Sequence, residues 1–209
     1  MSLDLIDPKQ NRQLFFDDHA IEKKLGVKQT VHPPQKCGPL IRPDHALGQT
    51  GIQSRSAPLW NPEKEIWEWW YYDRCAYYAT SKDGEHWETP SLGLYEWNGS
   101  KDNNIACDPS KPRIYHIIRD ENDPDPQRRY KGLFSARDRY LATSPDGFDW
   151  TMLDVPPIPS ADESHFTYDE ISGQFIAMVK HSTRWGRSVW LSTSKDFVHF
   201  SEPELIFHT

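Results

Sequence analysis

The sequence predicts an all-β fold made of four-stranded antiparallel sheets that repeat along the chain, and three observations support this prediction. A motif of the type T-S-x-D that ends on an aromatic residue occurs three times, as "TSKDGEHW", "TSPDGFDW" and "TSKDFVHF", beginning at residues 80, 143 and 193. Short stretches rich in aromatic and β-branched residues, bounded by turn-forming residues, surround every copy. No segment has a sustained apolar period of 3.6 residues, so little helix is expected.

Each copy of the motif stands in the same succession of predicted strands. A first strand is followed by a turn, a second strand, a short turn and a third strand that ends in the motif, and a short fourth strand then runs toward prolines. The first three strands are "IQSRSAPLW", "IWEWWYYD" and "CAYYATS" in unit one, "RIYHIIR", "YKGLFSAR" and "DRYLATS" in unit two, and "SHFTY", "QFIAMVKH" and "SVWLSTS" in unit three. A four-stranded sheet that repeats in this way is typical of the blades of a β-propeller.

The predicted domain organisation is an N-terminal lead-in over residues 1–50 and about three propeller blades over residues 51–209, with boundaries at 51–105, 106–160 and 161–209. Within the lead-in, residues 13–34 are interpreted as a separate hairpin that turns at Lys23–Gly26. Propellers have about 4–8 blades, so three blades would not close a ring. Three explanations for the missing blades remain possible: the chain is a fragment, another chain completes the ring, or the last strand edge is capped. An uncapped strand edge would favour self-association.

Composition and charge argue against several classes of partner. The chain has 209 residues, a formal net charge of −7 and 36% hydrophobic residues, which is typical of a soluble globular protein. It has no block of Lys or Arg, so neither nucleic acid nor an anionic membrane is an expected partner. No apolar run approaches the ~20 residues of a membrane span, and the N-terminus does not resemble a signal peptide, which leaves a cytoplasmic protein or a secreted one without its signal.

No metal or other cofactor is expected from the motifs of the sequence. The three cysteines, Cys37, Cys75 and Cys107, form neither a CxxC site nor a disulfide framework and are interpreted as ordinary thiols. The histidines do not cluster at metal-binding spacing, and there is no phosphate-binding glycine loop.

The repeated motif is interpreted as a structural turn. Its aspartate, at positions 83, 146 and 196, can accept hydrogen bonds from backbone N–H groups further along the turn. Gly84 and Gly147 suit a backbone of positive φ, and the final aromatic residue is expected to anchor neighbouring blades. A domain usually has one active site, so the occurrence of three equivalent copies favours a structural role for the motif.

A ligand site is expected at the end of the blades opposite to the motif, where the connections between units converge on the propeller axis. The candidate catalytic residues are Asp162 and Glu163, just before the first strand of unit three, and Asp138, on a turn of unit two. Paired carboxylates of unequal pKa are what hydrolysis of a glycosidic bond requires. The candidate substrate-binding residues are Arg55, Asp73, His181, Arg184 and Trp185. Each carboxylate could instead be a turn former, and Arg55 could equally form an internal ion pair.

Five stretches carry a resemblance to a known family: "LFFDDHAIE", "YYATSKDGEHWETPSLGLYEWNGSKDNNI", "DENDPDPQRRYKGLF", "YLATSPDGFDW" and "FVHFSEPELI". From about residue 12 to 207 the chain resembles bacterial proteins described as glycosyl hydrolase family 32-like, or as five-bladed propellers of the fructosidase and arabinosidase superfamily. The resemblance implies a five-bladed β-propeller with carbohydrate as its class of ligand.

The resemblance does not extend to the catalytic pattern of family 32. The first strand of unit one lacks the aspartate of an N-D-P-N-G-type motif, Arg119 and Asp120 are followed by Glu where the family has Pro, and Glu163 is not followed by Cys. The leading hypothesis is therefore a carbohydrate-active propeller, a glycoside hydrolase relative that uses paired carboxylates. The alternative is a non-catalytic carbohydrate-binding or assembly propeller, including an inactive fragment.

Overall fold

The computed structural model describes residues 17–18, 21–184 and 186–208, and the chain divides into two units, Met1–Gly38 and Pro39–Thr209. In the first unit, residues 21–38 contain neither a strand nor a helix. The predicted N-terminal hairpin is therefore not observed in its second strand, after the turn at Lys23–Gly26, while most of its first strand lies outside the described residues. The boundary at residue 50 stays a prediction.

The described part of the second unit is an array of antiparallel β-sheets. Its strands are β1 (Leu59–Asn61), β2 (Ile66–Tyr72), β3 (Ala76–Ser81), β4 (Trp87–Glu88), β5 (Ile114–Arg119), β6 (Tyr130–Phe134), β7 (Tyr140–Ser144), β8 (Thr151–Met152), β9 (Ser164–Asp169), β10 (Gln174–Thr183), β11 (Gly186–Ser194) and β12 (Glu204–His208). Two single-turn 3₁₀ helices, His45–Leu47 and Pro126–Arg128, lie outside the strands. None of the helices in the described ranges has the length and apolar character needed to cross a membrane.

The strands form three four-stranded sheets, each in sequence order: β1-β2-β3-β4, β5-β6-β7-β8 and β9-β10-β11-β12. All neighbouring strands pair antiparallel, and the longest pairing, between β10 and β11, runs from Phe175↔Ser194 to Thr183↔Gly186. The predicted all-β class, with antiparallel four-stranded blades of a β-propeller, is confirmed.

This order gives the sheets two distinct ends. The turns β1–β2 and β3–β4, and their equivalents, lie at one end, which contains the repeated motif and is here called the motif end. The turns β2–β3, β6–β7 and β10–β11 and the connections β4–β5 and β8–β9 lie at the other end, here called the connection end.

The first strand of the first sheet is shorter than the sequence predicts. β1 begins only at Leu59, although Gln53 makes an isolated bridge to Tyr72. Pro58 has no backbone N–H to give to a ladder. The carbonyl of Ser56, two residues before Pro58, accepts a hydrogen bond from the Trp69 side chain at 3.1 Å.

The hydrophobic core lies between neighbouring sheets. One cluster joins the first sheet to the second and includes Trp70 and Tyr130, whose rings are 5.5 Å apart. A second cluster joins the second sheet to the third and includes Leu133, Phe166 and Phe197. Alternate residues of a strand face opposite sides of its sheet, so the second sheet can pack against both of its neighbours.

Buried polar groups also join the sheets near the motif end. The Glu68 carboxylate is buried and accepts hydrogen bonds from Tyr130 Oη at 2.5 Å, Tyr78 Oη at 2.7 Å and Asn61 Nδ2 at 3.0 Å. Burial acts to raise the pKa of Glu68, but the hydrogen bonds outweigh it and hold the pKa below its usual value. A fully satisfied network of this kind fixes how the first two sheets pack.

The three copies of the motif form the same turn. In the first copy, Asp83 Oδ1 accepts hydrogen bonds from the backbone N–H groups of Glu85 at 2.8 Å and His86 at 2.7 Å. Asp146 and Asp196 accept equivalent bonds from the residues two and three positions further along. Each carboxylate is therefore used to hold its own turn.

Candidate functional site

The candidate site is centred on an ion pair between Arg55 and Glu163 at the connection end. Arg55 lies in the segment before β1, and Glu163 immediately precedes β9. Arg55 Nη2 donates to Glu163 Oε1 at 2.5 Å, and Nε donates to Oε2. This two-point geometry makes a strong, orientation-specific pair. Of the two roles left open for Arg55, the structure shows an ion pair, and a role in substrate binding stays a prediction.

Glu163 is an ionised and accessible carboxylate. The hydrogen bond from Arg55 lowers the pKa of Glu163 below its usual value, against the opposing effect of burial. The side chain of Glu163 is 51% exposed, so oxygen lone pairs remain free for a ligand.

Arg55 also belongs to a row of alternating guanidinium groups and tyrosine rings, here called the Arg–Tyr cluster. Arg55 lies 5.7 Å from the centroid of Tyr72, and Arg113 lies 5.4 Å from that of Tyr72. On the other side, Tyr115 has Arg113 at 5.6 Å and Arg139 at 5.2 Å from its centroid. These are the distances of cation–π contacts.

Two members of the cluster carry buried polar atoms without a partner. Arg139 is only 1% exposed, and its guanidinium donates to the backbone carbonyls of Ser135 and Asp162. Its Nε and the hydroxyl of buried Tyr72 have no hydrogen-bond partner among the described residues. Burial lowers the pKa of Arg139. Unsatisfied buried groups of this kind are uncommon in folded proteins.

His116, on β5, positions the two segments that carry the ion pair. Its Nδ1 lies 3.0 Å from the carbonyl oxygen of Arg55, and its Nε2 lies 2.8 Å from Ser164 Oγ, next to Glu163. Burial lowers the pKa of His116 to about 3, so the ring is neutral near pH 7. His116, on a strand of the second sheet, therefore links the segment that leads into the first sheet to the first strand of the third sheet.

The other two candidate catalytic carboxylates have separate partners. Asp162 Oδ2 accepts a hydrogen bond from Lys180 Nζ, which lowers the pKa of Asp162. Asp138 Oδ1 accepts a hydrogen bond from the backbone N–H of Ser160 at 3.2 Å. The structure therefore joins Glu163 to Arg55, while Asp162 and Asp138 are anchored to different elements.

The remaining candidate binding residues also lie at the connection end. Asp73 accepts hydrogen bonds from the Thr50 backbone N–H at 2.7 Å and hydroxyl at 3.2 Å, and the backbone bond in particular lowers the pKa of Asp73. His181 Nε2 lies 2.9 Å from the carbonyl oxygen of Pro159. Arg184 is exposed directly after β10, and Trp185 lies outside the described residues.

An open groove of about 590 Å³ lies beside the Arg–Tyr cluster, between the first and second sheets. Its walls include Asp73, Arg74, Lys111, Arg113, Tyr115 and Ser135. The size is in the range of small-molecule sites. Within the described ranges, no group of three or more His, Cys, Asp or Glu side chains is arranged to hold a metal ion.

The sequence did not predict a role in the candidate site for Arg113, Arg139, Tyr72 or Tyr115. The useful signal was their position, because all four lie at the connection end of a predicted strand, as Arg55 and Glu163 do.

Neither a model of a protein family nor a curated protein matches the chain. Among solved structures, a fructofuranosidase from Schwanniomyces occidentalis, complexed with fructose, matches 76% of this chain and 34% of its own, with 16% identity and a TM-score of 0.50. The three sheets are propeller blades. The resemblance to propeller glycosidases of the fructosidase type is thus confirmed at the level of the fold.

Two further solved structures match with lower TM-scores. A GH62 hydrolase in complex with xylotriose matches 76% of this chain and 53% of its own, with 14% identity and a TM-score of 0.44. A GH32 β-fructofuranosidase from Bombyx mori matches 75% of this chain and 34% of its own, with 13% identity and a TM-score of 0.39. The chain thus spans between about a third and about a half of the length of these solved proteins.

Proposed function

We propose that this protein is a carbohydrate-active β-propeller, related to glycoside hydrolases and belonging to a five-bladed architecture. The observation that carries the proposal is Glu163, an accessible carboxylate that Arg55 holds ionised at the end where the blade connections converge. The fold that the chain shares with a fructofuranosidase solved with fructose bound supports carbohydrate as the ligand class.

Glu163 suits the role of base or nucleophile in glycosidic bond hydrolysis. That role requires an ionised carboxylate, whereas the general acid must keep its proton near neutral pH. Lys180 lowers the pKa of Asp162, so Asp162 also suits an ionised role. Asp138, which accepts a backbone hydrogen bond from Ser160, is retained from the sequence as the third candidate catalytic carboxylate. Arg55, Asp73, His181 and Arg184 are the candidates for binding sugar hydroxyls, and Trp185 is retained as a candidate from the sequence.

A panel of aryl glycosides, together with a glycan array, tests the proposal on the full chain. We expect turnover of at least one glycoside and a loss of about 10²–10⁴-fold in kcat/KM for Glu163→Gln, the usual contribution of a positioned acid or base. Glu121→Gln is the matched control, because Glu121 is also an exposed carboxylate paired with an arginine, Arg119, but lies at the motif end.

The possible results separate three conclusions. Turnover that Glu163→Gln leaves unchanged would remove the catalytic role from Glu163. Glycan binding without turnover would identify the alternative, a non-catalytic carbohydrate-binding propeller. A chain that neither binds nor cleaves any member of the panel would contradict the proposed function.

A further inference from the structure

The Arg–Tyr cluster has more positive charge than its protein partners neutralise. Glu163 pairs with Arg55, but the other two guanidinium groups donate to backbone carbonyls: Arg113 to Asp73, and Arg139 to Ser135 and Asp162. Among the described residues, no carboxylate lies within 4.0 Å of either guanidinium. A carbonyl satisfies the N–H donors but carries no full negative charge, so the charge of buried Arg139 is balanced only from more than 4.0 Å away, by the Glu163 and Asp162 carboxylates.

The groove beside the cluster has the same excess of positive charge. Its charged walls are Arg74, Lys111 and Arg113 against a single carboxylate, Asp73. Asp73 already accepts two hydrogen bonds from Thr50. A basic groove on a chain whose formal net charge is −7 is a local feature, and it attracts an anionic ligand to this end of the molecule.

The walls of the groove also suit a sugar ring. Tyr115 is partly exposed and contributes an aromatic surface next to Arg113, while Ser135 contributes a hydroxyl. An aromatic surface with a few polar groups and a fixed cation is the usual composition of a site for a small polar ligand.

We propose that this groove binds a saccharide that carries a carboxylate, that is, a hexuronic acid unit. Arg113 would bind the carboxylate, because a planar guanidinium matches a planar carboxylate at two points. Arg139 would contribute its charge from within the Arg–Tyr cluster, and the exposed part of Tyr115, together with Ser135, would line the sugar. That the ligand is a carbohydrate rests on the proposed function, and the charge of the groove specifies a carbohydrate that contains a uronic acid.

Calorimetric titration of the full chain with matched oligosaccharides tests the inference. The panel pairs glucuronate- and galacturonate-terminated disaccharides with their neutral glucose and galactose counterparts, and adds a 6-sulfated counterpart to separate a carboxylate from another anion. We expect at least tenfold tighter binding of the uronates than of either counterpart. Added salt should weaken the binding of the uronates more than that of the neutral sugars.

Two variants connect this preference to the groove. Arg113→Gln should remove the preference for uronates, measured as the ratio between the Kd of each neutral sugar and the Kd of its uronate. Arg74→Gln, at an exposed wall residue, should reduce the preference several-fold. Lys82→Gln removes the same charge at the motif end and should leave the preference intact. Thermal unfolding of each variant checks that the fold is retained.

The outcomes distinguish this inference from the proposed function. Equal binding of neutral and acidic sugars would overturn the inference and leave the proposed function standing. Tighter binding of the sulfated sugar than of the uronates would overturn the assignment of a carboxylate. A uronate preference that persists in both Arg113→Gln and Arg74→Gln would overturn the assignment to this groove. No binding of any sugar would contradict the proposed function as well.

Discussion

His116 shows how a single buried side chain can connect the fold to the site. Its two ring nitrogens bond to the carbonyl of Arg55 and the hydroxyl of Ser164, so it fixes the segments on both sides of the ion pair. Burial, together with the nearby charge of Arg139, disfavours the protonated ring and lowers the pKa of His116 to about 3. Protonation of His116 should therefore loosen the site and the core together.

This pKa predicts a loss of stability below the usual pKa of histidine, about 6.5. Between about pH 3 and 6.5 the unfolded chain binds a proton at His116 that the folded chain does not, so stability falls as pH falls. We expect the free energy of unfolding, measured by urea denaturation from pH 7 to pH 5, to drop by up to about 1.4 kcal/mol per pH unit.

The variant His116→Gln should be less stable at pH 7 but should lose most of this dependence on pH. His86 is the control, because it is exposed and its hydrogen bond with Asp83 raises its pKa. The contribution of His86 is present at low pH and lost as pH rises, so His86→Gln should not reduce the loss of stability on acidification. An unchanged slope in His116→Gln would contradict the assignment.

At the residue scale, the sequence predicts positions better than partners. Arg55 and Glu163 could be placed at the connection end because strand order alone decides at which end a segment lies. Their pairing could not be predicted, since it depends on how two units distant in sequence face each other. Arg113 and Arg139 were missed because an arginine at a strand end looks in sequence like a solvated loop residue, whereas Arg139 is buried.

At the scale of elements, the repeated motif turn was the most predictable feature, since its hydrogen bonds are local. The third copy is the exception, because Phe197 occupies the position of Gly84 and Gly147 and adopts a positive φ of 60°. This backbone is unfavourable for a bulky residue. The buried ring of Phe197 packs against Phe166 and Phe175, and this burial offsets the strain.

The two glycine copies should respond differently to the same substitution. Both have a positive φ, 80° at Gly84 and 84° at Gly147, so alanine adds about 1–2 kcal/mol of backbone strain at each. At Gly147 the new Cβ would also overlap the ring of Trp70, whereas at Gly84 the nearest atom, Trp67 Nε1, is 3.9 Å away. Overpacking adds about 1–3 kcal/mol.

Urea denaturation should therefore show a loss of about 1–2 kcal/mol for Gly84→Ala and about 2–5 kcal/mol for Gly147→Ala. Gly84→Ala is the matched control for the backbone strain. Equal losses in the two variants would mean that the contact with Trp70 does not fix the packing of the second blade against the first.

At the scale of the whole molecule, the number and order of the blades could be predicted because each blade repeats a local pattern. The interfaces between blades could not, since they depend on buried polar groups such as Glu68 and Lys131 that look like surface residues in sequence. Lys131 is fully buried and lies 2.6 Å from Asp123 and 3.3 Å from Asp120. Both carboxylates belong to the second blade, and Lys131 reaches the third blade through the ring of Phe197, whose centroid lies 5.9 Å from Nζ. Breaking such a buried pair by removing one partner is strongly destabilising.

The outer face of the third blade predicts self-association of this chain. Met178, Val189 and Phe207 line an apolar groove of about 450 Å³ there, and Phe207 is 61% exposed. The blades of this protein pack against each other through apolar faces, and the same groove on a second copy would offer a surface of that chemistry. We expect the sedimentation coefficient to rise with protein concentration, and the association to persist at high salt because it buries apolar area.

Phe207→Asp should shift this equilibrium toward the monomer by placing a charge in the groove. Ile171→Asp introduces the same charge at the β9–β10 turn, where Ile171 is 98% exposed, and should leave the association unchanged. A sedimentation coefficient that does not depend on concentration would contradict the prediction. Equal weakening by both variants would place the contact surface elsewhere, because only Phe207 belongs to the apolar groove.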